Sequence, residues 1–233
     1  MRIRDAMADL ALGAACVGCG VPGRIWCAEC DGDLPRHPFD ATPSPCPDGL
    51  LPPVAVARYE GTVKRIILEH KEHRRLPLVR PLAAMLAHAA LGQVHPQATL
   101  AGCTAVLVPV PSRPQAVRAR GYDPTWEMTR TAGLLLAASG VQLITTRLLR
   151  TLPGLADQAG LNAAQRSQNL HRSLACDSLR VRRLSARVRR AVVVVCDDVL
   201  TTGATAREAQ RALEAVGLTV RGTATVAAVT RRV

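Results

Sequence analysis

Ala191-Val-Val-Val-Val-Cys-Asp-Asp-Val-Leu-Thr-Thr-Gly-Ala-Thr205 decides the fold of this chain. Val192 to Val195 form an apolar run without alternation or charge, which suits a strand buried on both faces, as in a parallel sheet covered by helices. Two carboxylates, Asp197 and Asp198, follow at its carboxyl end, and then a small, hydroxyl-rich turn. The next segment, Ala206 to Val216, repeats small and apolar residues at Ala209, Ala212, Leu213 and Val216 with helical spacing and is stopped by Gly217. A phosphate placed at Thr201, Thr202, Gly203, Ala204 and Thr205 would meet the free N–H groups and partial positive charge of a helix start. Carboxylates repel such an anion unless they hold sugar hydroxyls further along the ligand or act through a cation. A sugar phosphate satisfies both halves. An acidic turn capping a helix, with the threonines as ordinary N-cap residues, is the structural alternative.

Other segments share this character. The run Cys196-Asp-Asp-Val-Leu-Thr-Thr-Gly-Ala-Thr205 resembles the 5-phosphoribosyl-1-pyrophosphate (PRPP) signature of type I phosphoribosyltransferases. Together with Tyr59-Glu-Gly-Thr-Val-Lys-Arg-Ile-Ile67, Val108-Pro-Val-Pro-Ser-Arg-Pro114, Arg118-Ala-Arg-Gly-Tyr122 and Gln158-Ala-Gly-Leu-Asn-Ala-Ala-Gln-Arg-Ser-Gln-Asn169, it is similar to the ComF/GntX group. The resemblance implies a type I phosphoribosyltransferase-like α/β fold, a doubly wound parallel sheet, joined to a small N-terminal zinc-ribbon-like module. It divides the chain into residues 1–50, a cysteine-rich module with a proline-rich linker, and residues 51–233, a phosphoribosyltransferase domain. It also implies PRPP bound with Mg²⁺ at Asp197, Asp198 and residues 201–205, and pyrophosphate bound at Ser112 and Arg113. Phosphoribose would pass to a nitrogen acceptor that the sequence does not specify. Asp197, Asp198 and Arg113 are the candidate catalytic residues; Arg118 and Arg120 are further candidate anion contacts or a solvated helix end. Asp123-Pro124 stands where relatives commonly have Asn-Gln, exchanging amide donors for an acid and a rigid ring. Gln158, Arg166 and Asn169 keep the family pattern, while Asn162 and Gln165 also read as a capping box. A different function the resemblance allows is a non-catalytic PRPP- or nucleotide-binding adaptor in DNA uptake, contacting single-stranded DNA or a helicase. A ligand-sensing regulator is a third, without an evident helix-turn-helix.

Composition bounds these readings. At 233 residues and 48% hydrophobic the chain can bury one substantial core and a small appendage. Its formal charge of +12 predicts anionic partners, phosphorylated metabolites, nucleic acid or a membrane surface, although a coding bias toward arginine yields the same excess. Met1-Arg-Ile-Arg and Leu10 to Cys16 imitate a lipoprotein signal, but Asp5 and Asp9 break the apolar run. No stretch reaches the ~18 apolar residues of a membrane span, so a cytoplasmic protein is expected.

Eight cysteines in such a protein point to metal. Cys16-Val-Gly-Cys19 and Cys27-Ala-Glu-Cys30 are two knuckles that together supply four thiolates, for which zinc is the natural occupant. Reduced structural cysteines and an iron–sulfur centre are alternatives. A closed four-thiolate site folds a segment too small for its own core. Cys196, ending the valine run, reads as a buried thiol, and Pro35 to Pro53, containing Cys46, as a linker.

Beyond it the pattern predicts a strand over Val54–Arg58, helices over Thr62–Glu69 and Leu78–Leu91, a strand over Thr104–Val110, a helix near Thr125–Ala138, and strands around Leu143–Leu149, 191–196 and Val220–Val229. Ligands of such sheets sit at the carboxyl ends of strands. Glu69-His-Lys-Glu-His73 resembles a metal-ligand set but reads as a solvated helix end; Lys71 also suits a phosphate contact. The basic run Arg180 to Arg190 suits electrostatic contact with nucleic acid, against which stands an aromatic content of 2%.

Overall fold

In the computed structural model, which describes residues 14–94, 102–152 and 172–230, the valine run forms the strand at the heart of the molecule. Strand β1 spans Phe39–Asp40, β2 Pro53–Arg58, β3 Thr104–Pro109, β4 Leu143–Thr145, β5 Leu149–Thr151, β6 Leu174–Cys176, β7 Ala191–Leu200 and β8 Thr219–Ala228. The main sheet has the order β1-β2-β8-β7-β3-β4, and every pairing in it is parallel except that of β1 with β2. β5 and β6 form a separate antiparallel pair.

The helices are α1 Ala28–Gly32, α2 Gly61–Lys71, α3 Val79–Gln93, α4 Pro114–Arg120, α5 Pro124–Ala138, α6 Ser178–Arg187 and α7 Ala204–Glu214. They cover both faces of the sheet. Val194 packs with Ile66 of α2, Leu82 and Leu86 of α3 and Met128 of α5. Val193 and Val195 point the opposite way, to Leu184 of α6, Ala209 and Leu213 of α7 and the β5–β6 pair. All three valines are fully buried, which explains the unbroken apolar run: a strand covered twice has no polar face. Each contributes roughly 1.5–2 kcal/mol of burial.

The connection after β3 leads through α5 outward to β4, and the one after β7 leads through α7 in the other direction to β8. Strand order therefore reverses between β3 and β7, and a crevice opens at their carboxyl ends. β7 runs on past its last β3 partner, Cys196, so Asp197 and Asp198 lie within the strand rather than in the turn after it.

Two segments differ from the pattern expected of them. Leu143–Leu149 is not one strand: it ends at Thr145, and Leu149 opens β5 in the second sheet. The proline-dense stretch carries β1, and its Leu50 packs with Ala206 and Leu200. Arg207 and Gln210 of α7 donate to the carbonyls of Asp48 and Gly49, at 2.9 and 3.1 Å. No helix among the described residues is long and apolar enough to cross a membrane. Gln158, Asn162, Gln165, Arg166 and Asn169, and the N-terminal signal-like run through Gly13, lie outside the described residues.

Candidate functional site

A cleft of about 470 Å³ lies in the crevice between β3 and β7. Asp197, Asp198 and Thr201 line it from β7, Ser112 and Arg113 from the turn after β3, and Lys71 from the end of α2. Thr202 is exposed next to Thr201, and Ala204 and Thr205 are half-buried in the first turn of α7. Gly203 is buried, with φ +75°. A Cβ there would lie 2.7 Å from Leu50 and 3.1 Å from Pro43, so glycine is required both by its backbone and by the proline-rich segment packed over it. The N-cap Gly203 has no side chain to cap α7, and the one side-chain bond at this start is a long one, from Ala204 N–H to Thr202 Oγ1 at 3.5 Å, which an anion can displace.

Lys71 Nζ donates to Asp198 Oδ2 at 2.6 Å, joining positions 127 residues apart. Burial works against the charge of Lys71, but Asp198 and then Asp197 outweigh it and raise its pKa. Burial pushes the Asp197 carboxyl well above the usual range, and the neighbouring Asp198 charge pushes it further. One cation thus balances one acid, while the second acid is half-buried and disposed to hold a proton, a hydroxyl hydrogen or a cation.

Ser112 Oγ donates to Asp123 Oδ1 at 2.8 Å, and Asp123 also accepts from Trp126 N–H at 3.2 Å as the N-cap of α5, with Pro124 in its first turn. The Asp-Pro pair is therefore a helix start of favoured composition, and its acid holds the loop that carries Ser112. Arg120 lines the cleft and forms an ion pair with Glu72 at 2.7 Å, while Arg113 and Arg118 are exposed.

The charged cluster at the end of α2 departs from a solvated surface. Glu72 and His73 are exposed, but His70 is buried and stacks edge-on against Tyr122, whose hydroxyl donates to the His70 carbonyl. Burial lowers the His70 pKa, holding the ring neutral. Alternating charges gave no sign of this, because the burial of His70 and the partial burial of Lys71 come from segments distant in sequence.

The second assembled group is Cys16, Cys19, Cys27 and Cys30, whose sulfurs all lie within 4.8 Å of one another. Cys19 Sγ and Cys27 Sγ are 3.7 Å apart, against about 3.8 Å for a tetrahedral ion with Zn–S bonds of ~2.3 Å. Burial raises the Cys16 thiol, but N–H groups of Cys19, Cys27 and Gly18 outweigh it and bring it down to about 6. Burial and the crowd of neighbouring sulfurs raise Cys30 instead. Four thiolates cannot share this space without a cation, and the four cysteines could hold a metal such as zinc. Among the described residues this is the one group of metal-ligating side chains so assembled. The module is docked on α2 through Arg65 Nη1, which donates to the carbonyls of Val17 and Gly18 at 3.0 and 3.2 Å.

No known family model matches the chain, and neither does any curated protein.

Proposed function

We propose that the cleft binds PRPP with Mg²⁺ and that the chain is a phosphoribosyltransferase of the ComF/GntX kind, passing phosphoribose to a nitrogen acceptor. The observation that carries this reading is the convergence of Asp197 and Asp198 with Thr201, in the turn that leads into α7, on one side and Ser112 and Arg113 on the other, in one cleft where strand order reverses. That arrangement suits a ligand with a monoester at one end, hydroxyls in the middle and a diphosphate at the other.

In this reading Asp197 and Asp198 accept hydrogen bonds from the ribose hydroxyls, and the N–H groups of residues 201–205 take the 5-phosphate. Ser112 and Arg113 receive the pyrophosphate, where Arg113 stabilises the charge that develops as the anomeric C–O bond breaks. A nitrogen lone pair forms the new bond at that carbon, and the pyrophosphate departs with the electron pair. Lys71 holds Asp198 in place and keeps the acid pair from repelling the incoming polyanion. Asp197 and Asp198 are the residues that would hold Mg²⁺, and the ion would supply positive charge against the leaving group.

Calorimetry with PRPP and Mg²⁺ on the wild type and on Asp197→Asn tests the binding. Saturable heat that disappears in the variant is expected; an absence of heat in the wild type overturns the proposal. Pyrophosphate release across a panel of nucleobases and amines then tests transfer.

A further inference from the structure

The basic run on α6 forms one wall of a second cavity, an open trough of about 510 Å³ outside the cleft. Trp126, Thr145, Arg147, Arg180, Arg183 and Arg187 are among the residues that line it, and no acidic residue does. Two features give it the character of a site.

The first is a flat platform. The Arg147 guanidinium lies over the Trp126 ring, with its carbon 4.4 Å from the ring centroid. The backbone is fixed beneath it, since Arg180 Nη1 donates to the Arg147 carbonyl at 2.9 Å. The buried Arg147 Nε has no hydrogen-bond partner among the described residues. Arg147 borders the trough, where a second planar group, such as a nucleobase, can stack on the guanidinium.

The second is a stripe of uncompensated charge. Arg180, Arg183 and Arg187 fall at i, i+3 and i+7 on one face of α6, a span of about 10 Å. Several arginines of other helices have carboxylates: Arg207 has Glu214 and Arg211 has Glu208 on α7, and Arg130 has Glu127 on α5. On α6 only Arg180 is paired, with Asp177 at 3.4 Å, and among the described residues Arg183 and Arg187 have no ion-pair partner. Like charges at helical spacing repel, so an anion in the trough relieves a cost the free helix carries.

We infer that this trough binds a nucleotide unit, with the base stacked on the Arg147–Trp126 platform and the phosphates along Arg180, Arg183 and Arg187. The unit comes either from a free nucleoside triphosphate or from a single strand of nucleic acid. The sequence argument against nucleic acid rested on a scarcity of aromatic rings. One of the two tryptophans nevertheless stands inside the basic trough. This inference does not depend on PRPP binding in the cleft.

The chain's second tryptophan, Trp26, lies in the cysteine module, so a Trp26→Phe variant leaves Trp126 as the only indole emitter. Titration of that protein with uridine triphosphate and, separately, with a thymidine oligonucleotide is expected to quench its fluorescence saturably in at least one arm. The arm that responds identifies the source. Inorganic tripolyphosphate is expected to bind at least about tenfold more weakly than the responding ligand, because it lacks a base to stack. Arg183→Glu with Arg187→Glu, both exposed positions, is expected to weaken binding by about tenfold or more while the protein keeps its cooperative melt. Arg147→Lys keeps the charge and loses the plane, and is expected to reduce the preference for nucleotide over tripolyphosphate. The inference is overturned by silence in both arms or by binding undiminished in the double variant. Affinity for tripolyphosphate or for anionic lipid vesicles that equals the nucleotide's overturns it too.

Discussion

Asp197 stands where stability and the proposed ligand binding pull in opposite directions. Its carboxyl is half-buried beside a second acid, and its folded pKa is raised by burial and by Asp198. A raised carboxyl favours folding only below its unfolded value near pH 4, and that advantage is given up as pH rises through the folded value. At neutral pH Asp197 therefore costs stability. Asp197→Asn is expected to raise the melting temperature at pH 7 by a few degrees, to leave it nearly unchanged near pH 3, and to remove PRPP binding. Calorimetric melts at both pH values check this. Gly18 shows the opposite constraint: a Cβ there would sit 2.5 Å from Cys30 Sγ. Gly18→Ala is expected to weaken metal retention at least about tenfold in competition with a chromophoric chelator, by displacing one ligand. The residue scale is also where the sequence was most and least legible. The acids, the small turn and the paired cysteines announce themselves because their chemistry is local. The Lys71–Asp198 pair and the Ser112–Asp123 bond do not, because each depends on tertiary placement of separate elements.

At the scale of elements, β7 and α7 are read directly from pattern, since an apolar run and a helical period report burial without a partner being known. Short edge elements are the ones that escape. β5 and β6 have three residues each and take their pairing from one another rather than from any internal alternation. α7 stabilises this second sheet through Glu208, which is buried, accepts from Leu174 N–H at 3.0 Å and receives two bonds from Arg211. Burial raises the Glu208 carboxyl, but Arg211 and the backbone donors outweigh it, and the net shift is downward. Its contribution is thus present above the ordinary glutamate value and disappears as pH falls through the lowered folded value. Glu208→Gln is expected to cost about 2 kcal/mol at pH 7, in denaturant titrations, and the difference from wild type is expected to vanish well below pH 4.

For the whole molecule, the cysteine module and the cleft share one helix. Arg65 holds the first knuckle against α2, and the same helix ends in Lys71 at Asp198. Val17, Ile25 and Trp26 also pack on the core that includes Val63 and Ile66. Loss of the metal is expected to loosen this face. A zinc-selective chelator is expected to lower the melting temperature and to weaken PRPP binding severalfold, measured at constant Mg²⁺. Cys30→Ser is expected to reproduce both effects without a chelator. Neither knuckle spacing nor helical period could reveal this connection, which arises from packing alone.

The position of β2 between β1 and β8 has a consequence for biosynthesis. Pro53 is in register with Thr223, so β2 waits for a strand translated after all the other described strands of the sheet. Until then the early helices have no complete platform, and β2 keeps an unpaired apolar edge while the intervening elements are made. Closure of the sheet is thus a late event, governed by how long that edge can be kept from other nascent chains.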